Sequence, residues 1–554
     1  MIPRKVVTMV LRSLCLILLA ATTLPAQFNT FPAVNYFKEQ WTKPPMSVEI
    51  ESVSRLDDFV ASGKLQLSLR SYIELVMANN PDVNLQKLAV YEQQNLIEAA
   101  YSPFDPALDL SFNANRSTTQ STDVLQGAAV RSRLTQNAGL TYEQTFDTGT
   151  RYTVGFAGVR SGDNSSFTSY NPSLTHRFQL GFTQPLLRGR GRYVQRIPIM
   201  VAESRLDLTE AQVREQVINL LVQAENAYWN VVESRENLSV ARNNLDLRRA
   251  FLERSRRELE LGAISPLDIY QPEQQFASAQ VAVTQTQYRL EQAEDVVRRW
   301  IGADLDPDIR TVPIELTESA DPPATAPVLD REEQVSRALQ LRPEIEQNLR
   351  LLEIDDLTIR ASTNELRPEL NLTGNYTSAG QAGVFYERSL IDDAPAPPPT
   401  PLGWTTSLDQ IFQFRYPTYS MGLTLNLPLR NRRAAADLAN SSIQKKRDLY
   451  QLRGQEQRIR QEVLNAVAGV ELAKAALEQA TVARDFAQKR VDAEQKKYDL
   501  GVQVAFFVLE AQTDLAAANA DVVAQSIAYR RSMLDLLQST GELLEARGVA
   551  IRYD

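Results

Sequence analysis

The longest regular pattern in the chain is a seven-residue repeat of apolar positions. No proline or glycine occurs between Pro198 and Gly262, and every seventh residue in much of this stretch is apolar. The repeat consists of Val217, Ala224, Val231, Leu238, Leu245, Leu252 and Leu259. An unbroken heptad repeat predicts a coiled-coil helix. At about 1.5 Å per residue, its roughly 64 residues would extend about 95 Å, which is longer than a compact domain requires.

A second long helix with the same seam is predicted near the C-terminus. Its seam comprises Val463, Val470, Leu477, Val491 and Tyr498, and Arg484 interrupts it once. The two long helices end at Leu261-Gly262 and Leu500-Gly501, and a shorter helical pattern returns after each glycine. These patterns predict two antiparallel helical hairpins. An ordinary elongated coiled-coil protein is the alternative, but it does not account for the strands that lead into the helices.

Four segments alternate strictly between apolar and polar residues, at 107–116, 177–185, 369–377 and 418–428. A period of two predicts strands with one face on apolar surroundings and the other on water. A soluble β-sandwich is one interpretation. The polar positions are mostly small and uncharged, which favours the lumen of a membrane barrel.

The chain also repeats itself. Twenty-five residues separate Pro81 from Pro106, and the same number separates Pro343 from Pro368. A strand ending in Pro-Leu and a basic residue follows in each half, at Pro185 and at Pro428, before the long helix. Landmarks in the same order at similar spacing indicate an internal duplication.

The patterns divide the chain into two repeats with flanking segments. The start has Arg4 and Lys5, an apolar stretch from Leu14 to Ala21 and a small-residue site at Ala26, which predicts a secretory signal peptide. We predict a signal peptide at 1–26, an N-terminal extension at 27–66, a first repeat at 67–301, an equatorial linker at 302–341, a second repeat at 342–540 and a C-terminal tail at 541–554. The first repeat consists of a short helix, strands 107–116 and 177–185 and a hairpin at 196–301. The second consists of a short helix, strands 369–377 and 418–428 and a hairpin at 432–540.

Composition excludes several classes of function. The net charge is −9, and because residues 1–26 carry three cations and no acids the mature chain has −9 − 3 = −12. This charge argues against nucleic-acid binding. Cys15 is the only cysteine and lies inside the predicted signal, and Arg12 interrupts the lipoprotein pattern before it, so we expect no disulfide and no lipid anchor. His176 is the only histidine, so we expect no zinc or haem site. We identify no catalytic residues, no cofactor-binding residues and no metal ligands.

Four strands cannot close a barrel, because small barrels need about eight. We therefore expect a symmetric oligomer, and three chains would supply twelve strands. The segment from Leu140 to Phe156, with a glycine turn at Gly149, predicts a further hairpin that would raise the number to six strands per chain. We expect this hairpin and the proline-rich loop at 392–399 to lie at the outer mouth.

These features together resemble the TolC-type outer-membrane efflux proteins, over roughly residues 65–545. The resemblance rests on the duplicated order of elements, on the run from Gln184 to Gly189 after a strand, and on the spacing of Gly262, Ser265 and Asp268. It implies a mostly α fold with long antiparallel coiled-coil hairpins that form a tunnel and strands that form a trimeric β-barrel. It also implies a homotrimer in the outer-membrane lipid with a periplasmic helical domain, an adaptor (membrane fusion) protein and an inner-membrane pump as partners, and no enzyme activity.

The resemblance assigns roles to the residues at the two hairpin tips. Gly262, Ser265 and Gly501 correspond to the surface that docks the adaptor, and Asp268 and Glu510 to acidic residues at the closed entrance. Phe507 departs from the family pattern, because many members carry an aspartate there, and it predicts an apolar constriction at the entrance.

Two other classes of protein remain as alternatives. A periplasmic coiled-coil adaptor would carry one hairpin between small β-domains, and a secreted hydrolase with a stalk would need a catalytic cluster. The cargo of the predicted efflux or type I secretion channel stays open among drugs, metals and proteins.

Overall fold

The computed structural model describes residues 56–61, 63–121, 128–165, 168–262, 264–320, 330–387 and 398–551. The predicted signal peptide, most of the N-terminal extension and most of the proline-rich loop lie outside these residues. The helices are α1 (Leu69–Asn79), α2 (Pro81–Ala100), α3 (Arg192–Glu260), α4 (Tyr270–Trp300), α5 (Arg331–Leu341), α6 (Pro343–Glu365), α7 (Trp404–Phe412), α8 (Arg432–Asp499), α9 (Ala505–Thr540) and α10 (Leu543–Ala546).

Two helical hairpins dominate the molecule. The long helix α3 packs against α4 along its tip-side part and against α2 along the rest, while α8 packs in the same way against α9 and α6. The seam residues Val217, Ala224 and Val231 are fully buried in α3, as is Val463 in α8. The short helices begin with matching signals, since Pro81 and Pro343 each occupy the first turn, where a missing N–H costs nothing. The heptad patterns therefore form the predicted hairpins.

The strands of the main sheet are β3 (Ala107–Gln120), β4 (Val130–Thr145), β5 (Arg151–Asp163), β6 (Tyr170–Pro185), β8 (Glu369–Phe385) and β10 (Pro417–Asn426), and β9 (Thr400–Leu402) pairs with one end of β8. Their order is β10-β8-β6-β5-β4-β3, and every neighbouring pair is antiparallel. The sheet path of the chain therefore has six strands, because the predicted hairpin around Gly149 joins the sheet as β4 and β5.

The turn between β4 and β5 contradicts our expectation that the insert lies at the outer mouth. Gly191, just before α3, donates its backbone N–H to the Thr148 carbonyl at 3.2 Å, and Arg192 contacts Asp147 at 3.3 Å. The turn thus lies at the helical end of the sheet. The reason is directional, because β3 runs away from the helices and the antiparallel β4 returns to them, so the turn that follows β4 lies at their end.

The two faces of the main sheet differ in chemistry. Leu110, Leu140, Phe156 and Phe178 follow one another across paired strands and share one apolar face, on which Tyr376 of β8 lies opposite Leu180 of β6. The opposite face carries small and polar residues. Helix α7 packs on the outer part of the apolar face, where Ser378 donates its hydroxyl to the Ile411 carbonyl at 3.1 Å.

A second, three-stranded sheet surrounds the middle of the hairpins. It consists of β1 (Val60–Ala61), β2 (Lys64–Leu67) and β7 (Ile314–Leu316), with β2 and β7 parallel. Leu67 and the α3 residue Tyr228 are fully buried there, and the Tyr228 hydroxyl donates to the Leu67 carbonyl at 3.2 Å. Within the described residues, no helix is long and apolar enough to cross a membrane.

The contact between α6 and α8 contains a buried pair of carboxyl groups. Asp355 and Asp448 are 8% and 5% exposed and share a hydrogen bond, while Gln444 donates to both oxygens of Asp448 at 3.1 and 3.2 Å. Burial, followed by the Asp448 carboxyl, raises the pKa of Asp355 to about 6, and Lys445 partly offsets this rise. The pair therefore favours a shared proton.

This pair predicts a pH dependence of stability. Because the pKa of Asp355 is higher in the folded than in the unfolded chain, folding binds protons between about pH 4 and 6, and stability falls as the pH rises through that window. We expect Asp355→Asn to remove this fall and to stabilise the protein at pH 7.5 by about 2 kcal/mol. Thermal unfolding in detergent from pH 4 to 8 measures both effects.

The neighbouring exposed residue provides the control. Asp356 lies on the same helix, pairs with Lys445 at 2.5 Å and contributes least to the raised pKa of Asp355, so Asp356→Asn should leave most of the pH dependence in place. If the melting temperatures of the wild type and of Asp355→Asn changed with pH in the same way, the shared proton would be contradicted.

Candidate functional site: the hairpin tips

Both hairpins reverse at a glycine in the left-handed conformation. Gly262 follows α3 with φ +71°, and Gly501 follows α8 with φ +74°. Glycine adopts this conformation without the steric cost that a Cβ imposes. A Cβ at either position would meet nothing within 4 Å, so both turns face open space in the chain. Both tips are therefore accessible to another protein.

At the first tip, Ser265 and Asp268 organise the turn that leads into α4. The Ser265 N–H donates to the Asp268 carboxylate at 3.2 Å, and the Asp268 N–H donates back to the Ser265 carbonyl at 2.9 Å. The Ser265 hydroxyl also accepts from the Leu267 N–H at 3.3 Å. Both predicted residues thus act locally in the chain, and both remain exposed.

At the second tip, the two predicted entrance residues have different surroundings. Phe507 is 40% exposed and packs edge-to-face on Phe506 with 5.5 Å between ring centroids. Glu510 pairs with Arg490 of α8 at 3.1 Å, and Arg490 also contacts Asp514. The Glu510 carboxylate is therefore neutralised within its own hairpin, whereas Phe507 presents an apolar ring to the surface.

The second tip packs against the first hairpin through a small apolar cluster, which we call the tip cluster. Phe251 of α3 is buried with Val508 and Leu509 of α9, and Tyr498 of α8 packs on Phe251 with 5.7 Å between ring centroids. The tip cluster joins the two hairpins near their ends. Gly262, Asp268 and Phe507 lie outside it.

Polar contacts surround the tip cluster. The Tyr498 hydroxyl donates to Glu258 of α3 at 2.6 Å, and burial, followed by Glu258, raises the pKa of Tyr498 to about 12. Arg254 contacts Glu258 at 2.8 Å and Asp499 at 2.5 Å, and its guanidinium lies 5.0 Å from the centre of the Tyr498 ring. Tyr498 therefore remains a hydrogen-bond donor throughout the physiological pH range.

Arg248 is the most buried cation near the tips. It is 3% exposed on α3 and donates to the Leu509 carbonyl at 3.2 Å and the Thr513 hydroxyl at 2.7 Å, both on α9. It also donates to Asn244 at 3.4 Å. These acceptors are neutral oxygens, and burial lowers the pKa of Arg248. Each hydrogen bond to α9 therefore offsets part of the cost of desolvating the charge.

The sequence patterns indicated the turn residues but not this contact between the hairpins. A signal was present, because Arg248 lies three residues after the seam residue Leu245, at a position that apolar or small residues normally fill in a coiled coil. A charged residue there indicates contact with a second element rather than a solvated face. Among the described residues, no group of three or more possible metal ligands is present.

A known protein family shares this arrangement of duplicated hairpins and sheet. The outer membrane efflux protein family matches residues 72–303 and 334–542. The chain belongs to this family. Its two matched segments correspond to the two halves of the duplication, and the efflux-protein fold predicted from the sequence is confirmed.

Individual relatives are distant. The probable efflux pump outer membrane protein TtgC of Pseudomonas putida is 24% identical over 333 residues, which cover 59% of this chain and 61% of the relative. The Campylobacter jejuni CmeC outer membrane channel has a TM-score of 0.60 at 14% identity, covering 90% of this chain and 94% of that one. The Vibrio cholerae outer membrane protein VceC has a TM-score of 0.58 at 15% identity, covering 85% and 96%. These likenesses establish the fold of this efflux protein.

The burial of Arg248 generates a prediction about the contact between hairpins. Arg248→Ala removes two hydrogen bonds from a charged donor to α9 and should lower the free energy of local opening of residues 505–515 by about 2 kcal/mol. Hydrogen exchange in that segment should accelerate roughly thirtyfold.

Arg249 is the matched control, because it is the next residue and its side chain is 55% exposed. Arg249→Ala should leave exchange in 505–515 unchanged. Equal protection of this segment in both variants would show that Arg248 does not hold the hairpins together.

Proposed function

We propose that this protein is the outer-membrane exit duct of a tripartite efflux or type I secretion system and works as a homotrimer. The observation that carries the proposal is an open sheet whose two edge strands are available for pairing. Every residue of β3 is exposed, and β10 is exposed along nearly its whole length. An uncovered edge of this length is normally paired with another chain.

The chemistry of these edges supports closure within a membrane. Exposed apolar side chains on the apolar face are Leu108, Leu110 and Phe112 of β3 and Tyr419, Met421, Leu423 and Leu425 of β10. Pairing β3 of one copy with β10 of the next is antiparallel, like every other pair of the main sheet. A closed sheet of this kind satisfies all strand hydrogen bonds and turns its apolar face to lipid.

The hairpins supply the second part of the duct. Helices α3 and α8 contain 69 and 68 residues, which at about 1.5 Å per residue extend roughly 100 Å from the sheet. Three copies would surround one lumen with twelve helices at the tips. This length supports a tunnel that crosses the periplasm towards an inner-membrane pump.

The exposed tips support contact with a periplasmic adaptor. Gly262, Ser265 and Gly501 lie at the far end of the tunnel from the sheet, and the absence of a side chain at the glycines permits close approach of a partner helix. Asp268, Phe507 and Glu510 lie beside them, and we propose that they narrow the entrance. Because the two hairpins carry different residues, the ring of tips would consist of three unlike pairs.

The docking role predicts the effect of bulk at the glycines. Gly262→Trp or Gly501→Trp should abolish most export while leaving the trimer intact, because the indole fills the open space that the adaptor helix would occupy. Export in cells and native gel migration measure the two properties.

Alanine at the same positions is the control. Gly262→Ala and Gly501→Ala carry the same backbone strain, about 1 kcal/mol, without the bulk, so export should largely persist. Normal export in the double tryptophan variant would contradict docking at the tips.

The gating role predicts the effect of charge at Asp268. Asp268→Ala should raise single-channel conductance in planar bilayers, because it removes a carboxylate from the entrance. Asp268→Asn keeps an oxygen that accepts from the Ser265 N–H, so it separates charge from turn capping. Both variants should open the channel; an effect of alanine alone would assign Asp268 to capping.

A periplasmic coiled-coil adaptor is the alternative function. It has less support, because the main sheet is long, two-faced and continuous with both hairpins. Fractionation to the outer membrane and heat-modifiable migration in detergent gels support the duct, whereas recovery in the soluble periplasmic fraction would support the adaptor.

A further inference from the structure

We infer that the closed wall contains eighteen strands, six from each of three chains, and that the duct is wide enough at the membrane to pass large hydrophilic solutes. This inference rests on the proposed function, because it assumes a trimeric channel. Its specific basis is the β4–β5 hairpin, which the family resemblance alone did not place in the wall.

The hairpin is fully integrated into the main sheet. The register of β3 with β4 runs without interruption from Ala107 opposite Glu143 to Gln120 opposite Val130. The register of β4 with β5 is equally continuous, and β5 pairs with β6 from Arg151 to Ser161. Since β3 reaches β6 only through β4 and β5, removing the hairpin from the wall would break the sheet into two pieces.

The two faces of the hairpin match those of its neighbours. On β4, Leu140 lies opposite Leu110 of β3 and Phe156 of β5, and it belongs to the apolar face. Thr141 lies opposite Asp109 and Gly155 on the polar face. This continuity fits a wall with lipid on one side and water on the other. A plug folded into the lumen would have no reason to keep one apolar face.

Close packing on the polar face also indicates a finished wall. A Cβ on Gly139 of β4 would lie 2.9 Å from the Ser111 hydroxyl oxygen, and one on Gly181 of β6 would lie 2.9 Å from the Asn375 side-chain oxygen. Glycine at these positions lets polar side chains of adjacent strands lie flat against the sheet. The lumen therefore keeps most of the width that the backbone encloses.

The circumference of such a wall agrees with that of the helical tunnel. Strands about 4.8 Å apart and tilted about 40° each occupy roughly 6.3 Å of circumference, so twelve give about 75 Å and eighteen about 113 Å. Twelve helices about 9.5 Å apart occupy roughly 114 Å. An eighteen-stranded wall thus continues the tunnel at nearly constant width, whereas a twelve-stranded wall would need a sharper tilt or a narrower ring.

The width sets the class of cargo. A circumference of about 113 Å corresponds to a backbone diameter of about 36 Å, and side chains leave roughly 25 Å of lumen, against roughly 13 Å for twelve strands at the same tilt. Barrels of 16–18 strands generally hold an aqueous channel. Selection by size would then fall to the hairpin tips, and the membrane section would admit any hydrophilic solute that passes them.

The experiment compares water exposure at adjacent residues of β4. The only natural cysteine is Cys15, inside the predicted signal, so single cysteines can be introduced into the mature chain. We expect a bulky polar maleimide to label Thr141→Cys and to leave Leu140→Cys unlabelled in the outer membrane. Labelling of both would place the hairpin outside the wall and overturn the inference.

A second pair, on β6, separates this inference from the proposed function. Gln179→Cys should be labelled and Leu180→Cys protected if any membrane wall exists, since β6 is central in the sheet. Loss of this alternation on β6 would overturn the channel itself. Alternation on β6 with none on β4 would overturn only the eighteen-stranded wall.

The width is measured on the unaltered trimer, so it does not depend on how a variant folds. Polymers of graded size added on the sheet side of a planar bilayer should enter and reduce conductance up to a diameter of about 25 Å. Exclusion of polymers that begins at about 13 Å in diameter would indicate a twelve-stranded wall and contradict the inference.

Discussion

The backbone hydrogen bonds of the main sheet are the constraint on which the rest of the structure depends. Six strands pair continuously from β10 to β3, and the two outer strands keep their remaining donors and acceptors exposed. A sheet with one apolar face cannot leave such edges open in lipid, because unsatisfied backbone groups are costly there. Closure between copies follows from this requirement. In the proposed trimer the hairpins would lie around a common axis, since each long helix starts within a few residues of a strand's end.

The hairpins solve a related problem in water. A single hairpin about 100 Å long buries little of its surface. In the part of each long helix nearest the main sheet, a short helix, α2 or α6, packs against it and increases the buried surface. Among the described residues no short helix lies near the tips, where the hairpins contact each other through Phe251, Tyr498 and Arg248. Polar and charged side chains surround the apolar tip cluster in this region.

Sequence patterns predicted the fold well wherever the pattern is periodic. The heptad seams, the alternating strands and the duplication all reappear, because burial on one face leaves a direct imprint on residue order. Contacts between distant elements left no such imprint. Nothing local to Asp355 indicates that Asp448 lies across from it, and Arg248 is conspicuous only once the seam is drawn. The expectation that the Gly149 turn lies at the outer mouth was wrong for a topological reason. Because β4 runs back towards the helices, the turn that joins it to β5 lies at the helical end of the sheet.

The two copies of the duplicated unit now differ more than their landmarks suggested. The first copy contributes four strands to the main-sheet path and the second contributes two, so the extra width of the wall comes entirely from the first. The tips diverge as well, since Asp268 caps a turn while Glu510 is neutralised by Arg490. Duplication supplied the helical tunnel in two similar halves. The two copies differ at the ends, in the number of strands and in the residues of the tips, and they share the hairpins between these ends.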